Sequence, residues 1–354
     1  MKLSVRPENP IEAVVLALDL APLTMMHTHV SLLRARTIMV ATKVGVFEAL
    51  AGGPLTAEEI AERCGTSPSA TAKIANALVA SAYLRHAAGT YSLTSFARKW
   101  LLADARQSVR DKLLFEFVEW SYIAQLEPFV RTGRPIDIHH GASDEQWETY
   151  QRAMRVLAGL AAPEIVRRTP MPSGATTMLD VGGSHGFLSV AMCRRYPALR
   201  AEVLDLPEAV QHAAPILAKE GMGDRVVHRE GDALQADLGV GAWDLVCVSQ
   251  LVHHFDEATN RALVGRVSRA LKPGGVCLVF EFVRPRSPAD AGQVGALLDL
   301  YFALTSESGT WSEEEISGWQ TDAGLAPRRV IRLKTAPGIV GVVGQKKAAT
   351  RGTP

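Results

Sequence analysis

The segment Met178-Leu179-Asp180-Val181-Gly182-Gly183-Ser184-His185-Gly186-Phe187 constrains this chain more than any other. A short apolar strand runs into an acid, a glycine-rich turn and the apolar-periodic start of a helix. That order is the first unit of a nucleotide-binding α/β fold. A loop that approaches a pyrophosphate uses the spacing G-x-G-x-x-G, whereas here the glycines fall at 182, 183 and 186 and Asp180 sits at the strand end. A carboxylate there repels phosphate. It favours a ligand with a positive amino-acid end and no phosphate, a description that S-adenosylmethionine fits. The competing reading is a structural tight turn between strand and helix.

With 354 residues, 47% of them apolar, the chain has length for two domains and the material for a large core. The net charge of +1 calls for neither nucleic acid nor a membrane surface. Cys64, Cys193, Cys247 and Cys277 are scattered without a C-x-x-C pair, so no zinc or other metal site is expected. They read as small buried side chains in a reducing, cytoplasmic compartment. Asp19 and Pro22 interrupt the apolar stretch Ile11 to Met26, which is read as a helix packing on protein and not as a signal or membrane segment.

Between about residues 30 and 100 the pattern is a winged-helix module. Thr56-Ala57-Glu58-Glu59 is a capping box, Gly65 stops its helix, Ser67-Pro68 opens the next, and Gly89 separates two short strands. The candidate recognition helix carries Lys73 as its only basic residue, too little for phosphate contacts, so packing or dimerisation is the expected role. Residues 108 to 168 read as helical, with aromatics at core spacing; Pro170 to Gly174 is a linker. From 176 onward strands and helices alternate. The strands are expected at 177–181, 201–205, 226–229, 244–249 and 276–282, with two more β-like runs at 327–333 and 339–345. Alternating βα units imply a parallel sheet covered on both faces.

Chemistry is expected at the carboxyl ends of those strands, where open α/β sheets bind ligands. Asp205, in Leu204-Asp205-Leu206-Pro207, is placed to accept from ribose hydroxyls, and Asp232, in Gly231-Asp232-Ala233, from an adenine amino group. The fourth strand ends in Ser249-Gln250-Leu251-Val252-His253-His254-Phe255. Imidazole is suited to taking a proton near neutrality, and Glu281 near the end of the fifth strand is a candidate to orient it. The bland alternative leaves His253 shaping the pocket without moving a proton.

These pieces, in this order and spacing, resemble a class I S-adenosylmethionine-dependent methyltransferase. From about residue 30 to 346 the chain is similar to the small-molecule O-methyltransferases with an N-terminal winged-helix dimerisation domain, the plant caffeate- and flavonoid-type and bacterial antibiotic-tailoring enzymes. The motifs that carry the match are Leu179-Asp180-Val181-Gly182-Gly183, Leu204-Asp205-Leu206-Pro207, Gly231-Asp232, Val252-His253-His254-Phe255-Asp256-Glu257 and Leu271-Lys272-Pro273-Gly274-Gly275.

The resemblance implies a Rossmann-like domain with a parallel sheet and an antiparallel C-terminal strand over 171–347. A helical connector over 106–170, a helical and winged-helix dimerisation domain over 1–105, and a tail over 348–354 complete the expected plan. It implies His253 as general base with Glu281 beside it, and cofactor contacts from Asp180, Gly182, Gly183, Asp205, Leu206, Asp232, Ala233 and Ser249. Trp120, Met154, His254 and Phe302 are candidate walls for a small-molecule acceptor. The partners implied are that acceptor and a second copy of the chain, whose pocket Met25, Met26, His27 and His29 are placed to reach, with no nucleic acid and no membrane.

The departures are informative. The family's Gly-Gly-Gly-Thr-Gly loop reads Gly182-Gly183-Ser184-His185-Gly186, the plant enzymes' cofactor lysine is Ser249, and their His-Asp-Trp is His253-His254-Phe255. A second family glutamate is replaced around Gly309-Thr310-Trp311-Ser312, with Glu307 as a candidate substitute. Methyl transfer to a hydroxyl of an aromatic or polyketide-like molecule is the expected reaction. Carbon or nitrogen methylation, a non-methylating cofactor binder and a winged-helix DNA-binding sensor are the alternatives.

Overall fold

Local signals in the sequence set most of the element boundaries in the computed structural model, which describes residues 3–138, 143–290, 292–336 and 338–348. The chain divides into two compact units between Val118 and Glu119. The first contains α1 (Pro10–Ala17), α2 (Leu23–Met25), a π-turn (Met26–Val30), α3 (Ser31–Val44), α4 (Val46–Ala49), α5 (Ala57–Cys64), α6 (Pro68–Ala80), strands β1 (Leu84–Ala87) and β2 (Thr90–Leu93), and α7 (Ser95–Trp100). Thr56 and Glu59 form the capping box of α5, and Gly65 closes it at φ +63°. Phe47, Leu50, Ile60, Leu78 and Leu84 form the core of this unit.

The expected single helix over Ile11 to Met26 is broken. Asp19 is left-handed at φ 54° and Pro22 has no N–H to continue the ladder, so α1 ends at Ala17. It buries none of its residues within the described chain; Ile11 and Leu20 are 76% and 68% exposed. The expectation that this stretch packs on protein is therefore not met inside one copy.

Helix α8 (Arg110–Ile123) runs across the division, and α9 (Leu126–Thr132) and α10 (Asp144–Arg168) follow. A capping box of Ser143 with Gln146 starts the 25-residue α10. The second unit then alternates β3 (Thr177–Val181), α11 (Phe187–Arg195), β4 (Arg200–Asp205), α12 (Pro207–Lys219), β5 (Val226–Glu230), β6 (Trp243–Ser249), α13 (Glu257–Ala270) and β7 (Leu271–Phe282). It ends with α14 (Gly292–Thr305), α15 (Glu313–Asp322), β8 (Leu325–Arg332) and β9 (Ile339–Lys346).

The seven strands are ordered β5-β4-β3-β6-β7-β9-β8. Those from β5 to β7 pair in parallel, whereas β9 is antiparallel to both β7 and β8 and so alone runs against the rest. The period-two alternation of a strand sends Met178 to one buried layer and Leu179 and Val181 to the other, consistent with helices on both faces. From β3 the chain winds outward through β4 to β5 and then crosses back to β6 on the other side of β3, a reversal that opens a crevice at the carboxyl ends of β3 and β6. Among the described residues no helix is long and apolar enough to cross a membrane.

Candidate active site

The loop after β3 is held from several sides at one residue. Ser184 adopts φ 52°, a conformation that a non-glycine residue keeps only when its surroundings demand it. Its N–H donates to Asp205 Oδ2 at 2.7 Å, and its carbonyl accepts from His228 Nε2 at 2.8 Å. Its hydroxyl meets Gln151 Oε1 at 2.5 Å. Asp205 Oδ1 accepts the Leu206 N–H at 2.8 Å, so each oxygen of this carboxylate holds one backbone group. Burial raises its pKa, against the pull of those two hydrogen bonds.

Asp180 is not in the crevice. Period-two alternation turns it to the same face as Met178, toward α11, where it is 1% exposed and accepts from Ser189 Oγ at 2.8 Å. Burial pushes its carboxyl up to about 7. Gly183 passes directly over it: a Cβ there would lie 2.6 Å from Asp180 Cγ and 2.8 Å from Val203 Cγ1. Gly182, at φ 68°, would place a Cβ 3.0 Å from the Leu251 side chain.

His185 also faces inward. Gly186, the N-cap of α11, has no side chain to satisfy the helix start, and His185 Nδ1 accepts the Phe187 N–H at 3.1 Å instead. Burial, with Arg155 nearby, pushes its pKa down to about 3, so the ring is neutral.

Asp232 folds onto its own turn: Oδ1 accepts from Leu234 N at 2.8 Å and Oδ2 from Gln235 Nε2 at 2.9 Å. Ala233 is buried and Leu206 exposed. Ser249, at the tip of β6, has a buried hydroxyl with no hydrogen-bond partner among the described residues.

Beyond β6 the chain makes a 3₁₀ turn, Val252–His254. His253 is 4% exposed and its Nδ1 lies 3.0 Å from Oε1 of the fully buried Glu281. Glu281 Oε1 also accepts the Phe282 N–H at 3.0 Å. The His253 ring packs against His254 and Phe302, with centroids at 4.1 and 4.5 Å. Asn260, completely buried on α13, clamps the turn by donating to the carbonyls of Val252 at 2.8 Å and Phe255 at 2.9 Å. Trp311 Nε1 donates to the same Val252 carbonyl at 3.0 Å.

His253, Glu281, His254 and Phe302 are thus brought together, and Gly182, Gly183 and Asp205 meet at the loop. Trp120 on α8 and Met154 on α10 are half-buried. Glu307 is exposed and does not stand in for the missing glutamate. Thr310, buried at 2%, donates its hydroxyl to Asp299. Sequence reasoning missed Gln151, His228, Asn260 and Asp299. None of them left a trace there; His228 is followed by Arg229 and Glu230 in its own strand and does not stand out.

Comparison with known proteins bears on this arrangement. A model of the O-methyltransferase domain matches residues 125–326, and a model of the O-methyltransferase dimerisation domain matches residues 26–103. The mitomycin biosynthesis 6-O-methyltransferase of Streptomyces lavendulae is 29% identical over 325 residues, 86% of this chain and 91% of that protein. The 3-hydroxy-5-methyl-1-naphthoate 3-O-methyltransferase of Streptomyces sahachiroi is 27% identical over 327 residues, covering 89% and 92%. In fold, the chain is similar to human N-acetylserotonin methyltransferase solved with S-adenosylmethionine, with a TM-score of 0.79 at 19% identity over 98% of this chain and all of that one.

Proposed function

The chain belongs to the O-methyltransferase family, enzymes that methylate small molecules with S-adenosylmethionine, and from that premise we propose that it methylates a hydroxyl on an aromatic acceptor with His253 as general base. The observation that carries this reading is the buried pair of His253 and Glu281, Nδ1 to Oε1 at 3.0 Å, on the turn after β6. The Glu281 carboxylate at 3.0 Å favours a proton on Nδ1 through its charge, since Nδ1 makes no hydrogen bond among the described residues, and this leaves Nε2 as the acceptor for a hydroxyl proton. The same carboxylate stabilises the imidazolium that follows.

The crevice suits the cofactor. Gly182 and Gly183 lie where a side chain would collide with Leu251 or with Asp180 and Val203, so only glycine keeps the turn on this close path at the end of β3. Asp205 binds one backbone group through each oxygen and keeps acceptor directions for ribose hydroxyls. When bound, S-adenosylmethionine supplies a methyl group already activated on a sulfonium. The protein's own tasks are to orient the acceptor, exclude water and take one proton. Phe302 and His254 set flat rings against His253, which suits stacking by an aromatic acceptor. The match over 26–103 supports assembly as a homodimer through that region.

Methyl-labelled cofactor and a panel of phenols test this reading. Label is expected on oxygen, and label on carbon or nitrogen would overturn it. His253→Ala is expected to lower turnover roughly 10²–10⁴-fold while calorimetry shows unchanged binding of S-adenosylhomocysteine. Near-normal turnover in this variant removes the base from the mechanism.

A further inference from the structure

A closed circuit of contacts runs from the turn that carries His253 back to its ring. From the Val252 carbonyl it passes to Trp311 Nε1 at 3.0 Å, and along the chain to the buried Thr310. The Thr310 hydroxyl donates to Asp299 Oδ1. Asp299 and Phe302 are three residues apart on α14, hence neighbours on one helix face. Phe302 returns to the imidazole at 4.5 Å between centroids. Gly309 lets the loop press against this helix: a Cβ there would lie 3.5 Å from Ala303 Cα and Cβ, and its φ is +67°.

Asp299 is half-exposed, and its second oxygen has no hydrogen bond among the described residues. A carboxylate oriented through one oxygen and open at the other, on the wall that stacks against the base, is built to receive a donor. A bare phenolate developing nearby would be repelled by it. An acceptor with a neighbouring O–H or N–H turns that repulsion into a charge-assisted hydrogen bond.

We propose that Asp299, oriented by Thr310, is a specificity-determining residue that selects acceptors carrying a second hydrogen-bond donor beside the hydroxyl to be methylated. This rests on the aromatic-acceptor reading above. The test uses 2,3-dihydroxynaphthalene and 2-naphthol as probes, titrated into the full chain saturated with S-adenosylhomocysteine. The diol is expected to bind roughly ten- to hundredfold more tightly than the mono-ol, the range for a hydrogen bond to a charged group. Asp299→Asn should abolish that preference without changing S-adenosylhomocysteine affinity, Thr310→Val should reduce it, and Thr310→Ser should keep it. Binding of both probes without discrimination, or a preference that survives Asp299→Asn, overturns the proposal. Loss of S-adenosylhomocysteine binding in Asp299→Asn also overturns it, because the residue then acts on the fold. Binding of neither probe by the unaltered chain overturns the aromatic-acceptor reading, and this proposal with it.

Discussion

Asp180 makes the folded state sensitive to pH in a direction opposite to that of most carboxylates. Its ordinary value is 3.8, and burial beneath Gly183 raises it to about 7, with Asp205 adding a smaller push and Ser189 opposing. Below pH 4 both the folded and unfolded chains hold the proton, and this group contributes no pH dependence. Between about pH 4 and 7 the unfolded chain releases its proton while the folded chain keeps it, so stability falls as pH rises. Above the folded value both states are ionised and the loss is complete, amounting to roughly 4 kcal/mol at about 1.4 kcal/mol per pKa unit. Asp180→Asn is close in shape, stays neutral, and still offers Ser189 an acceptor oxygen. Urea unfolding followed by circular dichroism should find the variant and the parent alike near pH 4. The variant should gain an increasing advantage toward pH 8. Parallel stability curves across that range would show that the carboxylate ionises in the folded state as readily as in water, and the burial argument would fail.

Two further substitutions probe the site's construction. Gly183→Ala drives a Cβ to 2.6 Å from Asp180 Cγ and 2.8 Å from Val203 Cγ1, so calorimetry should record about 1–3 kcal/mol of lost stability and at least tenfold weaker S-adenosylhomocysteine binding. Gly265→Ala, in α13 with open space around it, serves as the matched control and should be neutral or slightly stabilising. Asn260→Ala removes two hydrogen bonds from the turn that carries His253, and should lower kcat while leaving cofactor affinity intact. Unchanged kcat would mean that Trp311 alone suffices to hold the turn.

Much of the fold was legible because its signals are local. The strand at 177–181, the capping box at Thr56 and the stop at Gly65 each depend on residues a few positions apart. The pair of His253 and Glu281 was legible because two parallel neighbours, β6 and β7, bring their carboxyl ends together. Direction of side chains was harder. Asp180 sits one residue before the strand's end, and that single step turns it under α11 instead of out into the crevice. His185 has no role legible from the loop sequence alone, and only the bare N-cap at Gly186 shows why the helix needs it. Gln151 and His228 reach Ser184 from 33 and 44 residues away, a separation at which one sequence carries no spacing rule.

The triple tether at Ser184 has a kinetic corollary. Its amide, carbonyl and hydroxyl are each engaged by a different element, so the turn already holds its unusual backbone angle before any nucleoside arrives. Little ordering entropy then remains to be spent at docking. Stopped-flow traces should accordingly show one exponential whose rate climbs linearly with nucleoside concentration, without the plateau that a slow loop rearrangement would impose.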